Sequence, residues 1–182
     1  MDITIRELKE EDLDQGILLS GSFTVDSILV LHTENQQIRY TVQKVAAYTK
    51  SYDDEELTAG SHSDYIDNPD KVIYLAFAGK QAAGQLVLKR NWNNYAYIEY
   101  IKVDNSYRKS GIGRQLIEQA KHWAKAGDLP GLMLETQNIN VTACKLYERC
   151  GFVIGGFDHF LYKGLHPQTN ETAIYWYLLL DQ

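Results

Sequence analysis

The sequence predicts an α/β fold, a mixed sheet with helices on its faces. Three observations carry that prediction. Several short runs alternate apolar and polar residues or are rich in β-branched and aromatic types, the signature of strands. Two later segments switch to a near-four-residue period, the signature of amphipathic helices. The helical segments are interleaved with strands, so the order reads βα, several antiparallel strands, then βαβαββ.

Ile3 and Ile5 alternate with polar residues as an opening strand, and a helix is expected from Lys9 to Leu19. The runs SILVLHT and IRYTVQKV flank the turn-like Glu34-Asn35-Gln36 and predict a hairpin. KVIYLAFA and QAAGQLVLKR, separated by Gly79-Lys80, predict a second. NWNN then turns into the strand YAYIEYIKVD. In GIGRQLIEQAKHWAKAG, the residues Ile112, Leu116, Ala120 and Trp123 share one helical face, and Gly127 ends the helix. GLMLETQ reads as a strand and NVTACKLYERCG as a helix stopped at Gly151. FVIGGFDHFLYKG and TAIYWYLLL form an antiparallel pair.

The chain has 182 residues and is 45% hydrophobic, which fits a single domain over 1–182 with a real core. It has no low-complexity tract, and no apolar run approaches the roughly 18–20 residues of a membrane span. The opening MDITIRELKEEDLD does not read as a secretory signal. Cys144 and Cys150, six apart in one predicted helix, read as reduced thiols. A cytoplasmic protein is expected.

The net charge of −6 argues against general nucleic-acid affinity. Its distribution says more. Residues 51–70 hold a local balance of −7, including Asp53, Asp54, Glu55 and Glu56, and suit a cation. Residues 105–125 hold a local balance of +4 and suit an anion. Both runs also have a plain reading as solvated surface.

Val103 to Arg114, VDNSYRKSGIGR, lies between a strand and a helix. Glycines at 111 and 113 let the backbone turn sharply and approach a ligand. The helix start leaves N–H groups unpaired and carries a positive dipole end. Arg108, Lys109 and Arg114 add formal charge, and Ser110 lies in the same turn. The segment suits a pyrophosphate. It is neither a dinucleotide fingerprint, since Leu116 stands where the third glycine belongs, nor a P-loop.

The pattern Arg108-x-x-Gly111-x-Gly113 resembles the acetyl-CoA motif of the GNAT superfamily. Asn140, Ala143, Tyr147 and Gly151-Phe152 match a second superfamily pattern. The resemblance implies a mostly antiparallel sheet splayed between two central parallel strands, 97–104 and 131–137, to admit the pantetheine arm. It implies that the backbone of Ile101 and Val103 pairs with that arm and that Asn140 holds acetyl-CoA farther on. Tyr147 is then the acid that protonates the departing thiolate. It also allows a homodimer, with no interface legible in the sequence.

More narrowly, KSYDDEE, YIDNPDKVIYLAF, NWNNYAYIEYI and GLMLETQNINVTACKLYERCGF resemble the streptothricin acetyltransferases. That likeness implies a small cationic amine substrate, acetylated on a β-lysine moiety. The chain departs from that group at Tyr100, where relatives carry a second acid after the position of Glu99.

Acetyl transfer needs the ammonium to lose a proton, the thioester carbonyl to be polarised and the thiolate to be neutralised. Glu99 is the candidate base, by its parity with Ile101 and Val103; Glu135 competes with it. Backbone N–H groups of strand 97–104 are expected to polarise the carbonyl. Trp92, Tyr95 and Tyr97 either wall a cationic substrate or pack a hairpin on the sheet. No ligand spacing suggests a metal. Two rival readings stay open: acetylation of a polyamine or protein N-terminus, and a non-catalytic acyl-CoA sensor.

Overall fold

The structure is a computed structural model and describes residues 2–15, 17–51 and 62–181. The acidic Asp53, Asp54, Glu55 and Glu56 lie outside the described residues. The elements run β1 (Ile3–Glu7), α1 (Glu10–Leu13), β2 (Phe23–Glu34), β3 (Gln37–Lys50), β4 (Lys71–Ala78), β5 (Gln81–Arg90) and β6 (Ala96–Val103). They continue with α2 (Ile112–Ala126), β7 (Gly131–Gln137), α3 (Val141–Arg149), β8 (Val153–Asp158) and β9 (Ala173–Leu179). They form two compact units, one from residues 1–22, 51–132 and 180–182, the other from 23–50 and 133–179.

In the first unit the strand order is β1-β4-β5-β6, with antiparallel neighbours throughout. Val72 to Ala76 are all buried, as a strand covered on both faces requires. One face packs Leu86, Leu88 and Ile98 with Ile112, Leu116 and Ala120 of α2. Gly84 is needed there, because a Cβ would stand 3.0 Å from Ile112 and 3.2 Å from Leu116. The other face packs Ile73, Leu75 and Val87 against Leu8, Leu13 and Ile17.

The expected helix at Lys9–Leu19 is a correction. Only Glu10–Leu13 is helical. Asp12 starts it, accepting the Lys9 backbone N–H at 2.8 Å and a bidentate pair from Arg6 at 2.7 Å each. Beyond it, Ile17, Leu19 and Gly21 are buried while Leu18 and Ser20 are exposed. That period of two belongs to extended chain.

In the second unit, β2 and β3 form a long hairpin, its turn made by Asn35 and Gln36 at φ 50° and 62°. Two positive φ values in a two-residue loop match the twist of the strands. The remaining order is β7-β9-β8, with β8 and β9 antiparallel as expected. The buried Asn138 ties these parts together, its side chain donating to Leu29 O and accepting from Thr172 N. Strand β8 stops at Asp158, whose carboxylate accepts the N–H of Phe160 at 2.6 Å and so turns the chain. The FLYKG stretch read as strand is instead a 3-10 turn at Leu161–Gly164.

Candidate active site

The phosphate loop is built as its residue types require. Asp104 accepts the Ser106 N–H at 2.9 Å and opens a 3-10 turn at Asn105–Tyr107. Ser110 Oγ donates to the Tyr107 carbonyl. Gly111 is the N-cap of α2 at φ +87°, a conformation L side chains rarely adopt. Its Cβ position has no atom within 4 Å, so the cradle is open where a ligand would approach. Gly113 is the second helical residue, and the first α2 bond runs from Gln115 N to Gly111 O. Arg108, Lys109 and Arg114 are all exposed. Strand end, left-handed glycine and 15-residue helix therefore make an anion cradle.

Arg108 has a second attachment. Its guanidinium donates to Ser22 O at 2.7 Å and more weakly to Val103 O at 3.4 Å. Asp104 accepts from Ser20 N at 2.9 Å, and Asn105 donates to the hydroxyls of Ser20 and Ser22. Residues 20–22 are thus strapped to the loop. Sequence reasoning missed this, because the partners lie more than eighty residues apart.

Glu99 requires a correction to its parity. The β5–β6 register passes from Leu88↔Ile98 to Val87↔Tyr100, so Glu99 is the extra residue of a bulge. Ile101 and Val103 pair with Leu86 and Gly84 on the α2 face. Glu99 instead joins the opposite face. Its Oε1 accepts from Lys89 Nζ at 2.5 Å and its Oε2 from the Tyr65 hydroxyl at 2.8 Å. Lys89 Nζ also lies 5.6 Å from the Tyr97 ring centroid. Burial first, then the Glu99 carboxylate, pushes the Tyr65 phenol well above its ordinary value. Lys89 and Tyr65 were not legible as site residues; the Lys89↔Tyr97 pairing becomes visible only once the hairpin register is known.

Trp92 stands at the β5–β6 turn, 90% exposed, so it does not pack on the sheet. The turn is closed by Asn91 N to Tyr95 O at 2.9 Å.

In the second unit Asn140 is the N-cap of α3, its Oδ1 accepting from Ala143 N at 3.2 Å. The Asn-x-x-Ala spacing thus has a capping role, which leaves Nδ2 as the donor for any cofactor contact. Tyr147 is 6% exposed, tilted against Phe152 at 5.8 Å and Trp176 at 6.1 Å. Its ring is part of the core. Glu135 in β7 accepts from the Tyr162 hydroxyl and makes no ion pair among the described residues. Burial pushes its carboxyl up, and the Tyr162 bond opposes this only in part. Neither Cys144 nor Cys150 is in a disulfide, in keeping with reduced thiols, and burial pushes the Cys144 thiol up to about 12. Among the described residues no cluster of His, Cys, Asp or Glu could hold a metal, and no helix is long and apolar enough to cross a membrane.

The profile of the acetyltransferase (GNAT) family matches residues 39–152. The chain belongs to the GNAT acetyltransferase family. It is 39% identical over 167 residues to a streptothricin acetyltransferase of Escherichia coli, covering 92% of this chain and 91% of that one. It is 37% identical to streptothricin acetyltransferase A of Bacillus subtilis, covering 85% and 87%. It also resembles, at 50% identity and TM-score 0.91, a Bacillus anthracis protein assigned as a streptothricin acetyltransferase and solved with acetyl coenzyme A, covering 100% and 99%. This GNAT enzyme therefore has the mixed α/β fold of its relatives and transfers acetyl from acetyl-CoA to an amine.

Proposed function

We propose that the enzyme acetylates a primary amine of streptothricin, on its β-lysine moiety. The observation that carries this reading is likeness to streptothricin acetyltransferases over nearly the whole length of both chains. The Glu99 cluster supports it: a carboxylate beside aromatic rings is the chemistry that receives an alkylammonium.

The roles follow from the residues. The Gly111 cradle, with Lys109, Ser110, Gly113 and Arg114, holds the pyrophosphate of acetyl-CoA. The backbone of Ile101 and Val103 and the amide of Asn140 hold its arm. Acetyl-CoA supplies the acetyl group and a thiolate leaving group. Arg108 is a positioning residue that fixes the strap at Ser22. Glu99 receives the acceptor ammonium and takes its proton, directly or through water. The bulge at Glu99 interrupts the ladder and frees strand N–H groups to polarise the carbonyl. Tyr147 protonates the departing sulfur. Asp53, Asp54, Glu55, Glu56 and Trp92 belong to acceptor capture, where several carboxylates attract a polycation.

A second reading of the base has its own observation. Glu135 has its carboxyl raised by burial, which moves a proton acceptor toward the working pH. Turnover of Glu99→Gln and Glu135→Gln across pH separates the two, since the true base carries the acid limb of the profile.

The substrate is tested by the product. Streptothricin treated with enzyme and acetyl-CoA is fragmented intact by tandem mass spectrometry and its fragments weighed. Acetyl on the β-lysine fragment is expected; acetyl elsewhere, or none, rejects the assignment.

A further inference from the structure

The Glu99 carboxylate is already filled by an ammonium belonging to the chain. Lys89 Nζ lies 2.5 Å from Oε1, with the Tyr97 ring centroid at 5.6 Å. The Tyr65 hydroxyl closes the other oxygen at 2.8 Å. A carboxylate and an aromatic face around one alkylammonium, with a phenol fixing the carboxylate's second oxygen, are the parts of an amine-binding site. The Lys89 side chain is 38% exposed and that of Glu99 25%, so the pair faces solvent and can exchange. Both side chains arise from adjacent strands, and the bulge is what turns Glu99 onto the Lys89 face.

We infer that Lys89 is a built-in competitor that occupies the acceptor's ammonium position on Glu99 in the free enzyme, and that a cationic substrate must displace it. This rests on the reading of Glu99 as the amine-receiving carboxylate. Displacement exchanges one ion pair for another, so a lone weak amine gains little. A polycation, with further charges to place, gains more. Lys89 therefore sets an affinity threshold, the same for every acceptor, that one with several amines clears more easily.

The Lys89–Glu99 pair sets the fraction of enzyme whose carboxylate is open. A part-exposed ion pair is worth up to about 1 kcal/mol, so its removal lowers an apparent acceptor constant roughly 3–5-fold. The Michaelis constant for the acceptor is measured for Lys89→Met, Lys89→Gln and Lys89→Arg, with streptothricin and with putrescine, the acetyl-CoA constant serving as control. Lys89→Met and Lys89→Gln should lower the acceptor constant roughly 3–5-fold, while Lys89→Arg stays near the parent. The factor should be similar for streptothricin and putrescine, because the open fraction scales every acceptor constant alike. An unchanged or raised acceptor constant in folded Lys89→Met and Lys89→Gln overturns the inference. Glu99→Gln isolates the foundation. If it leaves the acceptor constant and turnover intact, the Glu99 reading fails and the Lys89 inference falls with it. If Glu99→Gln matters and the Lys89 variants do not, only the inference fails.

Discussion

Asp12 and Glu135 are both carboxylates taken out of water, and the protein treats them in opposite ways. Asp12 sits fully buried in a bidentate pair with Arg6 and a backbone N–H, and the Arg6 bond above all holds its carboxyl below the usual range. Glu135 has a phenol and no cation among the described residues, and its carboxyl is raised. The first arrangement stabilises the fold; the second costs stability and is the kind a proton-handling site tolerates. Glu99 is a third case, paired with a lysine that solvent can reach.

The contrast breaks most sharply under substitution. If Glu99 is the base, Glu99→Gln should reduce turnover on the order of 10²–10⁴-fold. Glu135→Gln should then cost much less activity, yet melt no lower than the parent at neutral pH. Melting and steady-state turnover on the same preparations check both. The opposite activity ranking would move the base to Glu135.

Asp12→Ala should destabilise by about 3 kcal/mol, the low end for breaking a buried pair, with turnover per folded molecule unchanged. Its pH dependence has a definite sign. A lowered folded value means the contribution is full above the ordinary aspartate range and is lost as pH falls through the folded value. Parent and variant should therefore converge on acidification in denaturant titrations. Glu135 runs the other way. Its cost appears as pH rises past its unfolded value, so Glu135→Gln should gain on the parent as pH increases.

Gly111→Val sharpens the comparison from the anion side. At φ +87° a branched side chain is strained by roughly 1–2 kcal/mol and fills the open cradle. The strain lowers stability, and the side chain standing where the pyrophosphate approaches should lower acetyl-CoA affinity by calorimetry about tenfold or more in the folded protein. The smallest effect is chemical. With its thiol raised to about 12, Cys144 should resist iodoacetamide at neutral pH while Cys150 reacts first.

Much of this was readable from sequence where local chemistry decides structure. KVIYLAFA, QAAGQLVLKR and GLMLETQ coincide with β4, β5 and β7, because short apolar runs punctuated by Gly79-Lys80 and Pro130-Gly131 leave little choice. The Gly111 turn followed from glycine's freedom at positive φ. The failures arose where long-range partners decide. Ile17 and Leu19 look helical in sequence, yet burial two apart against the sheet makes them extended. The bulge at Glu99 inverts a parity argument, and only the register with β5 reveals it. Asn140 was read as a cofactor contact and is also a helix cap.

Streptothricin as the acceptor is the proposal on which the assigned roles converge. Thiol release from acetyl-CoA, measured as kcat/KM for streptothricin, putrescine and a peptide with a free N-terminus, tests it most directly. Streptothricin should lead by at least about 10²-fold, a gap that several ionic contacts together can supply at roughly 1 kcal/mol each. Equal or faster turnover of putrescine or the peptide would contradict it.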